Sequence, residues 1–152
     1  MRKRERVLFL CMANSCRSQM AEAFLKKYCN EKYEVYSCGV DIKPLDPFAI
    51  KVMKEINIDI SSQRSKDVTK FLGRMHFDHI IVVCDKAFES CPRIWPGGGE
   101  RLYWPFSDPA TYSGSENERI EKYREVRDQI RQKIIDWLEP KEHFSPKTKT
   151  KS

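Results

Sequence analysis

The chain has 152 residues, of which 40% are hydrophobic, 33% charged and 11% aromatic. This length suits one domain with a substantial core, and the absence of an apolar run near 20 residues argues against a membrane-spanning helix. The net charge of +6 is concentrated at the two ends, since residues 1–6 carry +3 and residues 139–152 carry +2, so the folded part has no basic surface typical of nucleic-acid binding.

Apolar patterns predict elements in the following chain order. They are a strand at Val7–Cys11, a helix at Ser18–Cys29, a strand at Glu34–Cys38, a helix that Asp46 caps and Pro47 begins, a short helix at Lys66–Met75, a strand at Asp78–Cys84, a strand at Arg101–Trp104 and a helix at Glu116–Leu138. The alternation predicts an α/β fold, a flavodoxin-like open parallel sheet of about four strands with helices on both faces. We expect one domain over residues 1–138 and a basic, disordered tail over 139–152.

The segment from Cys11 to Ser18 joins a predicted strand to a predicted helix. Such a loop, together with the helix N-terminus, can direct backbone amides at one oxyanion. The loop residues are Met12, Ala13, Asn14, Ser15, Cys16 and Arg17. Arg17 can add a planar guanidinium group, and Asn14 tolerates the left-handed backbone that a tight loop requires. The same field, with the Ser18 hydroxyl, would favour a thiolate at Cys11.

This segment resembles the CX5RS signature of the low-molecular-weight protein tyrosine phosphatase superfamily. The resemblance covers most of residues 6–138 and includes the late Asp108-Pro109 pair. It implies that Cys11 is the nucleophile, that Arg17 binds the oxyanion and that Asp108 is the general acid. A carboxyl group at the carboxyl edge of the sheet could deliver the proton that an oxygen leaving group needs. Ala13 stands where the family usually has glycine, which would cost about 1 kcal/mol if that position required a positive φ.

Two later cysteines, Cys84 and Cys91, favour the reductase branch of this superfamily, because a phosphatase needs only one cysteine. Together with CRSQMAE at 16–22 and VRD at 126–128, they resemble the thioredoxin-coupled arsenate reductases. The resemblance implies that Cys11 attacks arsenate, for which phosphate and sulfate are analogues. A transient Cys11–Cys84 disulfide would form as arsenite leaves, and a Cys84–Cys91 disulfide would then be reduced by thioredoxin.

The spacing of these two cysteines predicts a conformational change. The ends of a continuous helix over 84–91 would lie about 10 Å apart. A disulfide needs Cα atoms within about 4.4–6.8 Å. We therefore expect Ala87–Ser90 to differ between the reduced and oxidised forms, and unchanged amide chemical shifts across 85–91 on oxidation would refute this.

Two other functions remain open from the sequence. The first is a low-molecular-weight phosphatase that hydrolyses phosphomonoesters through a Cys11 phospho-enzyme, with Cys84 and Cys91 as a redox guard. The substitution Cys84→Ser would spare such a phosphatase but abolish a reductase. The second is a non-catalytic redox sensor or binding module whose basic ends contact nucleic acid or an acidic membrane, with salt-sensitive binding as its signature. Cys16 could protect Cys11 as a disulfide partner or simply fill space.

No tightly bound cofactor is expected. Members of the reductase branch can bind potassium beside the loop, although ordinary loop hydrogen bonds would explain the matching residues equally well. Those residues are Asn14, Glu22, Ser37 and Asp67. We expect a monomer that contacts arsenate and thioredoxin but neither nucleic acid nor membrane. The apolar stretch Val7–Ala13 is short for a signal peptide and Leu10 is too large for a cleavage site, which predicts a cytoplasmic protein with reduced thiols.

Overall fold

The computed structural model describes residues 4–83 and 99–142, with side chains up to residue 139. In chain order the elements are β1 (Glu5–Cys11), α1 (Arg17–Cys29), β2 (Tyr33–Gly39), α2 (Pro47–Lys54), a 3-10 turn (Val68–Lys70), β3 (His79–Val82), β4 (Glu100–Tyr103), a second 3-10 turn (Pro109–Thr111) and α3 (Glu116–Glu142). Cys84, Cys91 and the 87–90 segment lie outside the described residues, as do residues 143–152 of the predicted tail.

The four strands form one parallel sheet in the order β2-β1-β3-β4. β1 is therefore an inner strand, and its residues Val7 to Leu10 are fully buried. Because a parallel sheet is covered on both faces, a continuous apolar run is the pattern expected of such a strand. The predicted flavodoxin-like α/β sheet of about four strands is confirmed.

Both faces of this sheet are covered. The ring of Tyr33 on β2 lies 5.4 Å from that of Trp137 on α3. Tyr36, an odd number of residues further along β2, belongs to the opposite face. Its ring packs edge-on against Phe71 and Phe77, in the segment that carries the first 3-10 turn. One face is therefore covered by α3 and the other by the segment that carries the first 3-10 turn.

The prediction of a helix over Lys66–Met75 is wrong. Only Val68–Lys70 is helical in this segment, as a 3-10 turn capped by the side chain of Asp67. Gly73 has a φ of +76°, a left-handed conformation that a continuous right-handed helix over this segment would not contain. At the other end of the chain, α3 continues to Glu142, although the apolar periodicity that predicted it stops at Leu138. None of the helices in the described part of the chain is long and apolar enough to cross a membrane.

Candidate active site

The predicted anion loop lies at the carboxyl edge of the sheet. Cys11 is the last residue of β1 and is 2% exposed, and Arg17 is the first residue of α1. The loop of five residues between them therefore leads directly into the N-terminus of a 13-residue helix. This is the strand–loop–helix arrangement in which helix dipole and backbone amides favour a bound anion.

The carbonyl groups of this loop are bonded to the segment that follows β2. The pairs are Met12 O with Val40 N and Asp41 N, Ala13 O with Lys43 N, and Ser15 O with Asp46 N, all at 2.9 or 3.0 Å. A carbonyl oxygen carries partial negative charge and would repel an anion. Because neighbouring backbone groups hold these carbonyls, the loop presents an environment suited to an oxyanion.

The buried side chain of Asn14 stabilises the loop through hydrogen bonds. The φ of 51° at Asn14 confirms the predicted left-handed residue, while Ala13 has no positive φ, so the condition under which Ala13 would be strained is not met. The fully buried side chain donates to Ser18 Oγ at 2.8 Å and to Ser37 Oγ at 2.9 Å. Its Oδ1 accepts from Gln19 Nε2 at 3.1 Å and from the Lys66 amide at 2.8 Å. Asn14 thus ties the loop to α1, to β2 and to the segment before the first 3-10 turn.

Gly39 is a functional position that sequence reasoning missed. It is the last residue of β2 and pairs with Cys11 across the sheet. A Cβ atom added at Gly39 would lie 2.8 Å from Met12 O and 2.9 Å from Asn14 N, closer than real Cβ contacts. The loop can therefore approach β2 only because this position lacks a side chain. The signal in the sequence was a glycine at the end of a predicted strand.

Arg17 links the loop to the segment that carries Asp108. Its side chain is 10% exposed, and its Nη1 donates to the carbonyl oxygen of Phe106 at 3.0 Å. Its Nη2 lies 3.5 Å from Asp108 Oδ2. Among the described residues the buried Nε of Arg17 has no hydrogen-bond partner, so it keeps a donor for an oxyanion. The structure thus brings three of the predicted site residues, Cys11, Arg17 and Asp108, to one edge of the sheet.

The carboxyl group of Asp108 is partly accessible. Its side chain is 36% exposed, and its Oδ1 accepts a hydrogen bond from the amide of Ala110 at 3.0 Å. This bond caps the second 3-10 turn and fixes the orientation of the carboxyl group. The other oxygen, Oδ2, faces Arg17, so the carboxyl group of Asp108 lies beside the guanidinium group that is predicted to bind the oxyanion.

The second cysteine of the loop, Cys16, differs chemically from a nucleophile. It is 4% exposed, and burial, together with the negative charge of Asp46, raises its pKa well above the ordinary value. Asp46 accepts hydrogen bonds from the Phe48 amide and, at 2.6 Å, from the hydroxyl of Tyr123. Because a protonated thiol is a poor nucleophile, the raised pKa disfavours Cys16 as an alternative to Cys11, the predicted nucleophile.

The four residues that match potassium ligands of the reductase branch are only partly brought together. Asn14, Ser37 and Glu22 form one hydrogen-bonded chain, in which the Ser37 hydroxyl donates to Glu22 Oε1 at 2.5 Å. Asp67 directs its Oδ1 to the amide and hydroxyl of Thr69, and these bonds hold the pKa of Asp67 below its ordinary value. No group of three or more His, Cys, Asp and Glu side chains within residues 4–83 and 99–139 could hold a metal ion.

The fold and this loop agree with the comparison to known families. The family model of low molecular weight phosphotyrosine protein phosphatases matches residues 6–147. The chain therefore belongs to that family. It is also 41% identical over 133 residues to an arsenate reductase of Halalkalibacterium halodurans, a match that covers 88% of this chain and 94% of the relative.

Solved structures give the same result. The structure of an arsenate reductase in the phosphate binding state is similar to this chain, with a TM-score of 0.70, 33% identity and coverage of 88% of this chain and 96% of that one. A thioredoxin-dependent arsenate reductase from Corynebacterium glutamicum matches with a TM-score of 0.62 and 28% identity, over 88% of this chain and 61% of that one. The resemblance predicted from Cys11–Ser18 is thereby confirmed at the level of the family.

Proposed function

We propose that this protein reduces arsenate to arsenite, with Cys11 as the nucleophile and thioredoxin as the electron donor. The observation that carries the proposal is the arrangement of Arg17, whose guanidinium lies between the N-terminus of α1 and Asp108 and keeps a buried N–H without a partner among the described residues. Relatives that cover nearly the whole chain bear the name arsenate reductase. Arsenate and phosphate have the same tetrahedral shape, which suits one loop to both.

In the first step the Cys11 thiolate attacks the arsenic atom of hydrogen arsenate. The hydroxyl group of this anion accepts the proton of Asp108 and leaves as water, which produces a Cys11 thiol–arsenate adduct. Arg17 and the amides of the loop bind the remaining oxygens and stabilise the charge on them. No electrons are transferred to arsenic in this step.

Reduction follows when the Cys84 thiolate attacks the sulfur of Cys11. The electron pair of the sulfur–arsenic bond stays on arsenic, which leaves as arsenite, and a Cys11–Cys84 disulfide forms. The Cys91 thiolate then attacks the sulfur of Cys84 and releases Cys11 as a thiolate. Thioredoxin supplies two electrons to the resulting Cys84–Cys91 disulfide. Cys84 and Cys91 lie outside the described residues, so this part of the proposal rests on the resemblance and on the name of the thioredoxin-dependent relative.

The proposal is tested by measuring arsenite formation in the presence of thioredoxin, thioredoxin reductase and NADPH, together with hydrolysis of p-nitrophenyl phosphate by the same sample. Cys84→Ser should form no arsenite, whereas Cys91→Ser should form one arsenite per protein molecule and then stop as a Cys11–Cys84 disulfide. Cys29→Ser, at the end of α1, serves as the matched control and should retain steady turnover. Elution as a single chain in gel filtration, and reduced thiols in a cytoplasmic extract, would agree with the monomer and the compartment included in the proposal.

A phosphatase is the second candidate, because the matching family model is that of a phosphatase. In that function Cys11 would form a phospho-enzyme, Asp108 would protonate the alcohol that leaves, and water would release phosphate. Rapid hydrolysis of p-nitrophenyl phosphate without arsenite formation, unchanged in Cys84→Ser, would replace the reductase proposal by this one.

A further inference from the structure

The carboxylate of Glu22 lies on α1 beneath the anion loop and is almost completely buried. Its side chain is 6% exposed, and two ammonium groups of this chain lie beside it. Lys26 Nζ is 2.5 Å from Oε2, and Lys66 Nζ is 3.8 Å from Oε1. A buried carboxylate is costly unless an opposite charge compensates it. Here the compensating charges are side chains of the same protein.

This charge is connected to the loop by hydrogen bonds of fixed direction. A carboxylate can only accept, so Ser37 donates its hydroxyl proton to Glu22. The oxygen of Ser37 then accepts from Asn14 Nδ2, which also donates to the oxygen of Ser18. Since Ser18 accepts from Asn14, its own hydroxyl proton remains available to the loop and its anion. The ionised carboxylate of Glu22 therefore fixes which group donates and which accepts in the series of side-chain hydrogen bonds that leads to the loop.

The residues that match potassium ligands by resemblance do not fit an alkali cation in this protein. Lys66 Nζ donates to the carbonyl oxygen of Arg64 at 2.6 Å and lies 3.8 Å from Glu22 Oε1, so an ammonium group of this chain already lies beside one of the oxygens that match a potassium ligand. The side chain of Lys66 is 22% exposed, whereas that of Lys26 is 45% exposed. Asn14 directs both Nδ2 hydrogens, which are donors, toward Ser37 and Ser18. A cation needs oxygen ligands there.

We propose that the ammonium group of Lys66 is the built-in cation of this loop, so that the protein binds its oxyanion without potassium. Lys66 acts as a positioning residue, since it contacts Glu22 and Arg64 rather than the anion. Its backbone amide donates to Asn14 Oδ1, so the segment that carries the charge is also attached to the loop. The proposal concerns the loop itself and holds for any tetrahedral oxyanion, whether the protein is a reductase or a phosphatase.

The test measures thermal stability and phosphate binding in 100 mM potassium chloride and in 100 mM choline chloride. For the unchanged protein, we expect the two salts to give Tm values within about 1 °C and equal Kd values for phosphate. Lys66→Met removes the ammonium and frees the oxygens of Glu22 and Arg64. In choline this variant should bind phosphate about fivefold more weakly, and potassium should restore the affinity and raise its Tm by about 3 °C.

Two further variants separate this role from ordinary packing. Lys66→Arg keeps the charge and should behave as the unchanged protein does in both salts. Lys27→Met, on α1 next to Lys26 but outside these ion pairs, should be insensitive to the choice of salt. If potassium, compared with choline, raised the Tm or the phosphate affinity of the unchanged protein, that result alone would overturn the proposal. The proposal would also fail if Lys66→Met lost stability or affinity and potassium restored neither.

Discussion

The Nη1 atom of Arg17 lies 3.0 Å from the carbonyl oxygen of Phe106. This bond joins the first residue of α1 to the segment after β4, two residues before Asp108. It uses one of the guanidinium donors for structure and leaves others for the proposed oxyanion. The group proposed to bind the oxyanion and the group proposed to protonate it are therefore held in one arrangement before substrate binds.

Arg17→Lys tests the value of this planar group. A lysine keeps the positive charge but cannot hold Phe106 and also offer paired donors to two oxygens. We expect kcat/KM for arsenate to fall about 100-fold, with little change in the thermal unfolding midpoint. Arg131→Lys, a matched change on α3 at a residue that donates to the Tyr28 hydroxyl, should leave kcat/KM unchanged. A lysine variant with full activity would contradict the role of paired donors.

Asp108→Asn tests the source of the proton. The amide cannot donate as an acid, so we expect kcat to fall by a factor of about 100 to 1000 while the Kd for phosphate changes little. Rapid-quench measurement of arsenite and equilibrium titration with phosphate separate the two effects. Asp136→Asn, an exposed carboxyl group on α3, is the control. If Asp108→Asn bound phosphate much more weakly but kept its kcat, Asp108 would instead be assigned to the positioning of Arg17.

Gly39→Ala tests the close approach of β2 to the loop. The new Cβ would meet the backbone atoms of Met12 and Asn14, and overpacking of this kind costs about 1–3 kcal/mol of unfolding free energy. Phosphate binding should be lost as the loop is displaced. Gly73→Ala provides the comparison, since its φ of +76° makes alanine cost about 1 kcal/mol, while among the described residues nothing beyond its chain neighbours lies within 4 Å of the added Cβ. Only the change at Gly39 should affect binding, as measured by calorimetry.

Tyr123→Phe tests a pH dependence. Burial and the hydrogen bond to Asp46 raise the pKa of Tyr123 above its ordinary value, so the unfolded chain releases this proton at a lower pH than the folded protein does. The stability from this group is complete below pH 10 and is lost as the pH rises above it. Above pH 10 the phenylalanine variant should therefore lose unfolding free energy less steeply, by up to about 1.4 kcal/mol per pH unit.

Urea unfolding between pH 9 and 11 measures this difference in slope. Tyr112→Phe is the matched control, because Tyr112 is 42% exposed. Equal slopes for the unchanged protein and Tyr123→Phe would mean that the Asp46–Tyr123 bond does not persist in solution.

The sequence predicted the parts of this molecule that depend on local pattern. The apolar run before Cys11 and the small, polar loop after it are enough to predict β1, the loop and α1. Asn14 was correctly predicted as the left-handed residue, because a short polar side chain is the usual occupant of such a position. These features depend on residues that are neighbours in the chain.

The features that sequence reasoning missed depend on contacts between distant segments. Nothing in the pattern around Lys66 indicates that its ammonium reaches Glu22, 44 residues earlier, or that the apolar positions up to Met75 belong to turns rather than to a helix. The role of Gly39 likewise appears only when β2 and the loop are placed side by side. The apolar periodicity of a sequence indicates which face of a helix or strand is buried, but not which other segment packs against that face.

The position of β1 inside the sheet also determines how the protein can fluctuate. Since β1 is hydrogen-bonded to β2 on one side and β3 on the other, fraying of an outer strand leaves it paired. Its amides should therefore be among the slowest to exchange with deuterium, because their exchange requires the sheet itself to open. The Cys11 thiol, the proposed nucleophile, therefore lies at the end of the strand that we expect to open last, and other segments can move without altering its alignment.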